Sequence, residues 1–169
     1  MSLLGRLLYL EKLIKRPNKG MLRLATGNGN GSTANKVRIF SQVVEQYGNG
    51  TLYDYVTDAT NGDSVTVLRR GLWSFSYTEY SDNATQVQFA LCKNIADKTQ
   101  QPASQPISSV LATSNASKNS DQIDVSNVGW TGWLEENDIV YAVTQGSAVT
   151  LDSSQVTFSC AYLGSGFYI

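Results

Sequence analysis

Residues 71–80 read GLWSFSYTEY, and their side chains alternate between two chemical types. Trp73, Phe75 and Tyr77 are aromatic, whereas the positions between them carry small hydroxyl side chains. Successive side chains of a β-strand point to opposite faces of the sheet. The stretch therefore predicts a half-buried antiparallel strand with one aromatic face and one hydroxylic face.

Several other stretches show the same alternation. Residues 85–94, TQVQFALCKN, place Cys92 on the face opposite Phe89. Turn-forming residues at 81–83 separate this stretch from the first one, which predicts a β-hairpin. Many short strands, with no helical pattern after residue 20, predict an all-β sandwich or barrel. The remaining strand-like stretches are Val37 to Val43, Ile123 to Val128, Ile139 to Val143 and Val156 to Tyr162.

The composition excludes several classes of site. A chain of 169 residues suits one domain of ordinary size. It contains no histidine, which is the commonest general base and transition-metal ligand. Because no other residues assemble an acid, a base and a nucleophile, we expect no enzymatic activity, no cofactor and no metal site. For Cys92 and Cys160, two free, half-buried thiols are favoured over a disulfide.

Residues 2–16, SLLGRLLYLEKLIKR, have the apolar spacing of an amphipathic helix, which Pro17 ends. Arg6 and Glu11 interrupt the apolar run, so the segment does not resemble a secretory signal. It is also too short and too charged to span a bilayer. The residues expected to anchor the protein are the apolar stripe and its basic neighbours: Leu3, Leu7, Leu10, Lys12, Ile14, Lys15 and Arg16.

Charge divides the chain into two parts. Residues 1–25 carry six basic residues and one acidic residue, a net charge of +5, and the remainder carries seven basic and thirteen acidic residues, a net charge of −6. Residues 26–35 are rich in glycine and asparagine and predict a linker. A phosphate-binding loop is disfavoured because the lysine it needs beside its hydroxyl residue is missing. We predict a basic anchor at 1–25, this linker, and a β domain at 36–169.

The predicted helix has three candidate uses. Docking on a larger assembly, or self-association, is favoured because a broad apolar stripe suits both. Contact with a membrane surface or a nucleic acid requires a basic polar face, which is also present, but we expect neither partner. The third use is packing on the β domain of the same chain.

The acidic residues support weaker hypotheses. Glu135, Glu136 and Asp138 either form an exposed acidic turn, which we favour, or bind calcium. The other acids of interest are scattered and have no visible partner, so paired-carboxylate chemistry is not expected. They are Asp58, Asp63, Glu79 and Asp82.

Two tryptophans are candidates for ligand contact. Trp130 and Trp133 flank Thr131-Gly132 and do not share one alternating face. We therefore expect at least one of them to be exposed, where an indole ring can stack on a sugar. Packing in the core or in a subunit interface is the favoured role for both.

Five landmarks follow one another in a fixed order: Tyr53-Asp54, Gly71 to Tyr77, Val87 to Asn94, Trp133 to Tyr141, and Ser154 to Leu163. In this order they resemble the globular heads of the complement and tumour-necrosis-factor jelly-roll superfamily. The match spans roughly residues 37–163. Asn137 replaces the glycine that usually precedes the aspartate of the turn, and asparagine also tolerates left-handed backbone.

The resemblance implies an antiparallel jelly-roll sandwich, here with a short N-terminal amphipathic helix, that assembles as a homotrimer. It does not imply a complement or cytokine role. Aromatic residues would then line the core or the trimer interface: Trp73, Phe75, Tyr77, Phe89, Tyr141, Phe158 and Tyr162.

A basic anchor, a glycine-rich linker and a trimeric jelly roll without a signal sequence are typical of bacteriophage virion parts. We expect a capsid decoration or head-fibre protein that binds other virion proteins through residues 1–25. Its expected location is the virion, after assembly in the host cytoplasm. The alternative is a tail-fibre or receptor-binding tip whose loops contact a host surface glycan or protein.

Overall fold

The computed structural model describes residues 20–30, 36–81, 87–116, 124–145 and 156–165. Within these ranges the chain is almost entirely antiparallel β-structure in two five-stranded sheets. This confirms the predicted all-β jelly-roll sandwich. The predicted helix over residues 2–16, with all its anchor residues, lies outside the described residues. In the described ranges no helix is long and apolar enough to cross a bilayer.

The first sheet contains the strand that decided the fold. Its members are β1 (Met21–Asn30), β2 (Arg38–Tyr47), β5 (Gly71–Ser81), β8 (Asp124–Leu134) and β10 (Thr157–Gly164). Their order across the sheet is β2-β1-β10-β5-β8. β5 pairs with β8 along its whole length and with β10 on its other side. The hydroxylic face of β5 is therefore extended sideways by two neighbours.

The second sheet contains β3 (Tyr53–Val56), β4 (Ser64–Val67), β6 (Val87–Lys93), β7 (Val110–Ala116) and β9 (Ile139–Thr144). Their order is β3-β4-β9-β6-β7. Two single-turn 3₁₀ helices, Pro102–Ser104 and Ile107–Ser109, lie in the long connection between β6 and β7. As in the first sheet, all strand pairs are antiparallel.

The predicted boundaries of the β domain are wrong. β1 occupies part of the predicted basic tail and the first half of the predicted linker, and it pairs with β10 and β2. Leu22 and Leu24 are buried and alternate with more exposed residues, which is the pattern of a strand with one face in the core. The glycine-rich half of β1 is held by pairing with β2, as between Gly27 and Phe40. The sandwich thus begins near residue 20 and not near residue 36.

The predicted hairpin between β5 and β6 is also wrong, because the two strands lie in opposite sheets. Both strands bury one face in the same interior. Phe75 on β5 and Phe89 on β6 are therefore both inaccessible to solvent, at 1% and 0% exposure. Alternation and a polar turn are shared by a hairpin and by a connection that crosses between sheets, so the pattern could not distinguish them.

The main core fills the space between the two sheets. None of the seven aromatic residues predicted for the core or interface is more than 6% exposed. Six of them belong to this main cluster, where for example the rings of Trp73 and Tyr162 are 5.0 Å apart. Tyr141 instead belongs to a smaller second cluster.

Both cysteines are free, as predicted, and each lies in a different cluster. They are buried rather than half-buried, at 0% exposure for Cys92 and 2% for Cys160. Cys92 does lie on the face opposite Phe89, but that face is also covered. Burial raises the pKa of each thiol to about 12, which keeps both protonated at neutral pH.

Candidate functional site

The outer face of the second sheet is covered by the chain itself over β6 and β9. Ile95, from the connection between β6 and β7, and Val37 pack there with Cys92 and Tyr141 in the second cluster. The Lys98 ammonium lies 5.1 Å from the centre of the Tyr141 ring. Since this part of the face is already buried, it offers little area to a partner.

The connection is fixed in place by hydrogen bonds. The backbone N–H of Lys36 donates to the carbonyl of Lys98 at 2.8 Å. The side-chain amide of Gln105 donates to the carbonyls of Asp97 and Gln100, both at 3.0 Å. The cover over the second sheet is thus an ordered part of the fold.

The outer face of the first sheet, in contrast, has no such cover among the described residues. Over β5, β8 and β10, no outward-facing side chain that the structure describes is charged. We call this surface the neutral face. Its outward positions are Leu72, Ser74, Ser76 and Thr78 on β5, Val125, Asn127, Gly129, Thr131 and Trp133 on β8, and Thr157, Ser159, Ala161 and Leu163 on β10.

The polar groups of the neutral face bind one another. The side-chain amide of Asn127 donates to the hydroxyl oxygens of Ser76 and Thr78, at 2.8 and 2.9 Å. The hydroxyl of Thr131 donates to Ser74 at 3.0 Å. A polar group with a partner in its own chain can be covered without losing a hydrogen bond. The face can therefore be buried despite its serines and threonines.

One end of the neutral face is apolar. Trp133 is 41% exposed and Leu163 is 54% exposed, and Leu72 lies opposite Trp133 in the strand register. The Arg70 guanidinium lies 5.5 Å from the centre of the Trp133 ring and pairs with Glu135 at 3.1 Å. Exposed tryptophan and arginine side chains are enriched at binding sites on protein surfaces.

Trp130 takes the opposite orientation and packs on the core, with its ring 6.4 Å from that of Phe75. Gly132 makes room for it, since a Cβ there would lie 2.4 Å from the Trp130 ring. The prediction that at least one of Trp130 and Trp133 is exposed is confirmed. Sequence reasoning missed Arg70 and Leu163, although an arginine directly before the aromatic strand was a usable signal.

Three of the four acids that looked unpartnered have partners within the fold, and Glu79 is the most buried of them. Glu79 is inaccessible to solvent and accepts hydrogen bonds from Arg38, at 2.9 Å from Nε and 2.6 Å from Nη2. The Tyr77 hydroxyl also donates to Glu79. Burial opposes the charge of Arg38, but Tyr77 and Glu79 outweigh it and raise the pKa of Arg38. Arg38, Tyr77 and Glu79 thus form a hydrogen-bonded cluster in the core.

Asp63 and Asp58 organise the chain between β3 and β4. Asp63 accepts from the backbone N–H of Phe40 at 2.8 Å and from the hydroxyl of Tyr55 at 2.7 Å. Burial and the neighbouring Asp63 raise the pKa of Tyr55. Asp58 accepts from the backbone N–H groups of Thr60 and Asn61, which lowers its pKa. Asp82 lies outside the described residues.

The acidic turn joins two of the sequence landmarks into one cluster. Asp138 accepts from the side chains of Asn94 at 2.6 Å and Lys93 at 3.3 Å, and from the backbone N–H of Glu135 at 3.0 Å. Asn137 has a φ of 72°, the left-handed backbone that its landmark position requires. In the part of the chain that the structure describes, no group of three or more acidic or cysteine side chains could hold a metal ion. The described contacts of Asp138 are those of a hydrogen-bonded turn.

The sequence matches no protein-family model and no curated protein. Solved structures do match. Murine APRIL at pH 5.0 superposes with a TM-score of 0.61 and 15% identity, over 86% of this chain and 99% of that one. Pika GITRL superposes with a TM-score of 0.52 and 11% identity, over 88% of this chain and 98% of that one.

The fold is a TNF-like jelly roll. The seven predicted aromatic residues lie inside a single TNF-like jelly roll and not on its neutral face. On β5, the neutral face consists instead of the positions between these aromatic residues, such as Ser74 and Ser76. The predicted anchor residues, from Leu3 to Arg16, are outside the described residues.

Proposed function

We propose that this chain is a non-enzymatic virion structural protein, a capsid decoration or head-fibre protein, whose TNF-like jelly rolls assemble as a homotrimer through the neutral face. The single observation that carries the trimer is the absence of charge on the described outward positions of β5, β8 and β10. The resemblance of the sequence to a superfamily of trimeric heads supports the same assembly.

The symmetry of a trimer explains why an uncharged contact face favours its assembly. Around a threefold axis every group faces copies of itself, so a charge near the axis is repelled by two identical charges. A face of paired hydroxyls has no such cost. At its apolar end, Trp133 and Leu163 remain exposed in the single chain, and burying each of them contributes roughly 1.5–3 kcal/mol. Charge appears again only at the margin, as with Arg23 on β1 and Arg70 before β5.

Attachment to the virion is assigned to the segment before β1. Because β1 begins at Met21, this anchor is shorter than the predicted 1–25. Residues 1–19 hold five basic residues and Glu11, a net charge of +4, and the remaining residues have a net charge of −5. The apolar stripe supplies buried contact area, and the basic residues complement an acidic surface on a capsid or portal protein.

The trimer is tested by measuring the mass of the full-length protein in solution. Wild-type protein is expected to have three times the mass of one chain. Ser76→Glu, which puts one charge at the centre of the neutral face, should shift it to monomer. Gln88→Glu is the matched control, because Gln88 is equally half-buried but belongs to the second sheet. A monomeric wild type, or a fully trimeric Ser76→Glu variant, would contradict the proposal.

The anchor is tested on purified particles. A full-length Leu7→Ser/Leu10→Ser variant keeps the charge of the segment but loses half of the apolar stripe. We expect a normal trimer mass and at least a tenfold drop in the number of copies per particle. Unchanged occupancy would exclude the apolar stripe as the attachment site.

One observation favours the alternative of a receptor-binding tip. Trp133, with Arg70 over its ring and Glu135 beside it, forms an exposed aromatic and charged group of the kind that binds sugars. If Trp133 has this role and lies outside the trimer contact, Trp133→Ser should keep the trimer mass of the wild type and abolish binding of the trimer to host cells or to a glycan array. Val56→Ser, at a similarly exposed apolar position on β3, should leave binding intact. A Trp133→Ser variant that binds normally would rule this role out.

A further inference from the structure

A groove of about 760 Å³ lies where β1 begins and β2 ends. Its apolar lining includes Met21, Tyr47, Leu52 and Ala161. The Tyr47 side chain is 57% exposed, whereas Leu52 is 2% exposed and closes the floor. A groove of this size falls within the range of ordinary binding pockets. In the described part of the chain, no segment fills it.

The chain emerges directly from this groove. Gly20 is buried and lines the groove, and its carbonyl accepts a hydrogen bond from the backbone N–H of Tyr162 at 2.8 Å. A Cβ on Gly20 would lie 2.8 Å from Leu52, so the backbone itself packs against the floor. The described part of the chain therefore begins at the wall of the groove.

We propose that the groove binds apolar side chains of residues 10–14 of the same chain. Ile14 lies six residues before Gly20, a span of at most about 20 Å in an extended chain. Because Gly20 lines the groove, this span is short enough for Ile14 and Leu10 to reach it. Glu45 lines the groove, and the basic residues Lys15 and Arg16 adjoin the apolar stripe, so the charges are complementary.

The tether favours this occupant over others. A segment joined to its site by a few residues has an effective concentration in the millimolar range, far above that of a free partner. The inference rests on the proposed function, in which the same stripe attaches the protein to a particle. The groove then shelters the stripe in the free trimer and releases it when a larger apolar surface competes for it.

Limited trypsin digestion of the full-length protein tests the proposal. Trypsin cleaves after Lys12 and Lys15, next to the side chains that the groove shelters, whereas Pro17 blocks cleavage after Arg16. Tyr47→Ser opens the groove at an exposed position, and Leu10→Ser removes one of its ligands. Each should accelerate cleavage at these sites about tenfold, the order expected for losing one buried apolar side chain. Val56→Ser, outside the groove and similarly exposed, should cleave at the wild-type rate.

Mass measurements on the same variants separate the outcomes. Wild-type protein that is cleaved as fast as Tyr47→Ser would overturn the proposal. So would protection that persists in Tyr47→Ser, because the segment would then be sheltered elsewhere, for example among the three copies. If Tyr47→Ser becomes monomeric, the groove belongs to the trimer contact and the proposal fails, while the trimer stands. Tyr47→Ser and Leu10→Ser can both lose protection while the Leu7→Ser/Leu10→Ser variant keeps its normal number of copies per particle. In that case the groove contact holds, and the proposed attachment of the apolar stripe to the particle fails.

Discussion

Replacing Glu79 by glutamine is expected to destabilise the protein far more than any change to its surface charges. Glu79 holds Arg38 through two hydrogen bonds, and the two side chains are 0% and 4% exposed. Glutamine keeps the size of the side chain but removes its charge. The Arg38 guanidinium then stays buried without a counter-ion, 41 residues away in sequence from the altered position.

The size of the effect follows from the burial. Removing one partner of a buried ion pair costs about 3–5 kcal/mol, because the remaining charge is desolvated and unpaired. For a domain of this length, each kcal/mol lowers the melting temperature by about 2–4 °C, so a loss on the order of 10 °C is expected. Replacing both partners, as in Arg38→Met/Glu79→Leu, should recover part of the loss, since no unpaired charge is left although the Tyr77 hydroxyl loses its acceptor.

Urea and thermal unfolding at one fixed protein concentration measure these differences, because assembly makes the stability of an oligomer depend on concentration. Glu135→Gln is the control. It breaks the Arg70–Glu135 pair, whose side chains are 65% and 59% exposed, and should cost less than about 0.5 kcal/mol. The reasoning is refuted if Glu79→Gln costs less than about 1 kcal/mol, or if the double variant is as unstable as the single one.

Three further changes have defined outcomes. The two thiols, whose pKa values burial raises to about 12, should not react with Ellman's reagent at pH 8 until the chain is unfolded, and fast reaction of native protein would contradict their burial. Burial opposes the charge of Asp138, but hydrogen bonds from Glu135 and Asn94 and the charge of Lys93 lower its pKa below 3.8. The ionised form therefore stabilises the fold above pH 3.8, and this contribution is lost as the pH falls through the lowered pKa. Asp138→Asn should cost roughly 1–3 kcal/mol at pH 7, and its deficit against wild type should shrink in acid; a constant deficit would exclude the carboxylate as its source. Gly62→Ala should cost about 1–3 kcal/mol, because φ is +79° and a Cβ would lie 2.5 Å from Val37; a wild-type melting temperature would show that the turn relaxes.

The sandwich was predictable because alternation is a local signal. Trp73, Phe75 and Tyr77 on β5 are spaced two positions apart, as are Phe158, Cys160 and Tyr162 on β10. Burial in the core follows that spacing directly. The Lys93-Asn94 and Asp138 landmarks were also visible, although only the structure shows that they meet in one hydrogen-bonded cluster. Features that depend on residues close together in the sequence were therefore predicted correctly.

Features that depend on distant pairing were not predictable. β1 has only Leu22 and Leu24 as a buried pattern before a run of glycine and asparagine, and pairing with β2 decides its structure. The Arg38–Glu79 pair joins β2 to β5, which lie in the same sheet without pairing, and no rule of spacing connects the two residues. The predicted hairpin between β5 and β6 was wrong for the same reason. The composition of a turn does not determine whether the next strand joins the same sheet or the opposite one.

The neutral face lies between these two cases. Its hydroxyl residues on β5 are plain in the sequence as the complement of the aromatic ones. What the sequence does not give is that β8 and β10 continue the same uncharged surface on both sides, or that the opposite sheet is already covered by the β6–β7 connection. From β5 alone, the hydroxyl face is indistinguishable from an ordinary solvent-exposed face. It becomes a candidate subunit contact only once β8 and β10 are seen to extend it.

Because the basic charge is concentrated in the N-terminal segment, the trimer should bind a particle through three anchors at once. The proposed trimer keeps its contact neutral and carries three copies of the basic segment, each with a net charge of +4. A single short anchor of this kind binds weakly, but three anchors on one rigid head bind together, and each later one binds at a raised effective concentration. Loss of the trimer through Ser76→Glu should therefore weaken particle binding far more than threefold, even though every chain keeps an intact anchor. Binding that falls only in proportion to the number of chains would show that the anchors act independently.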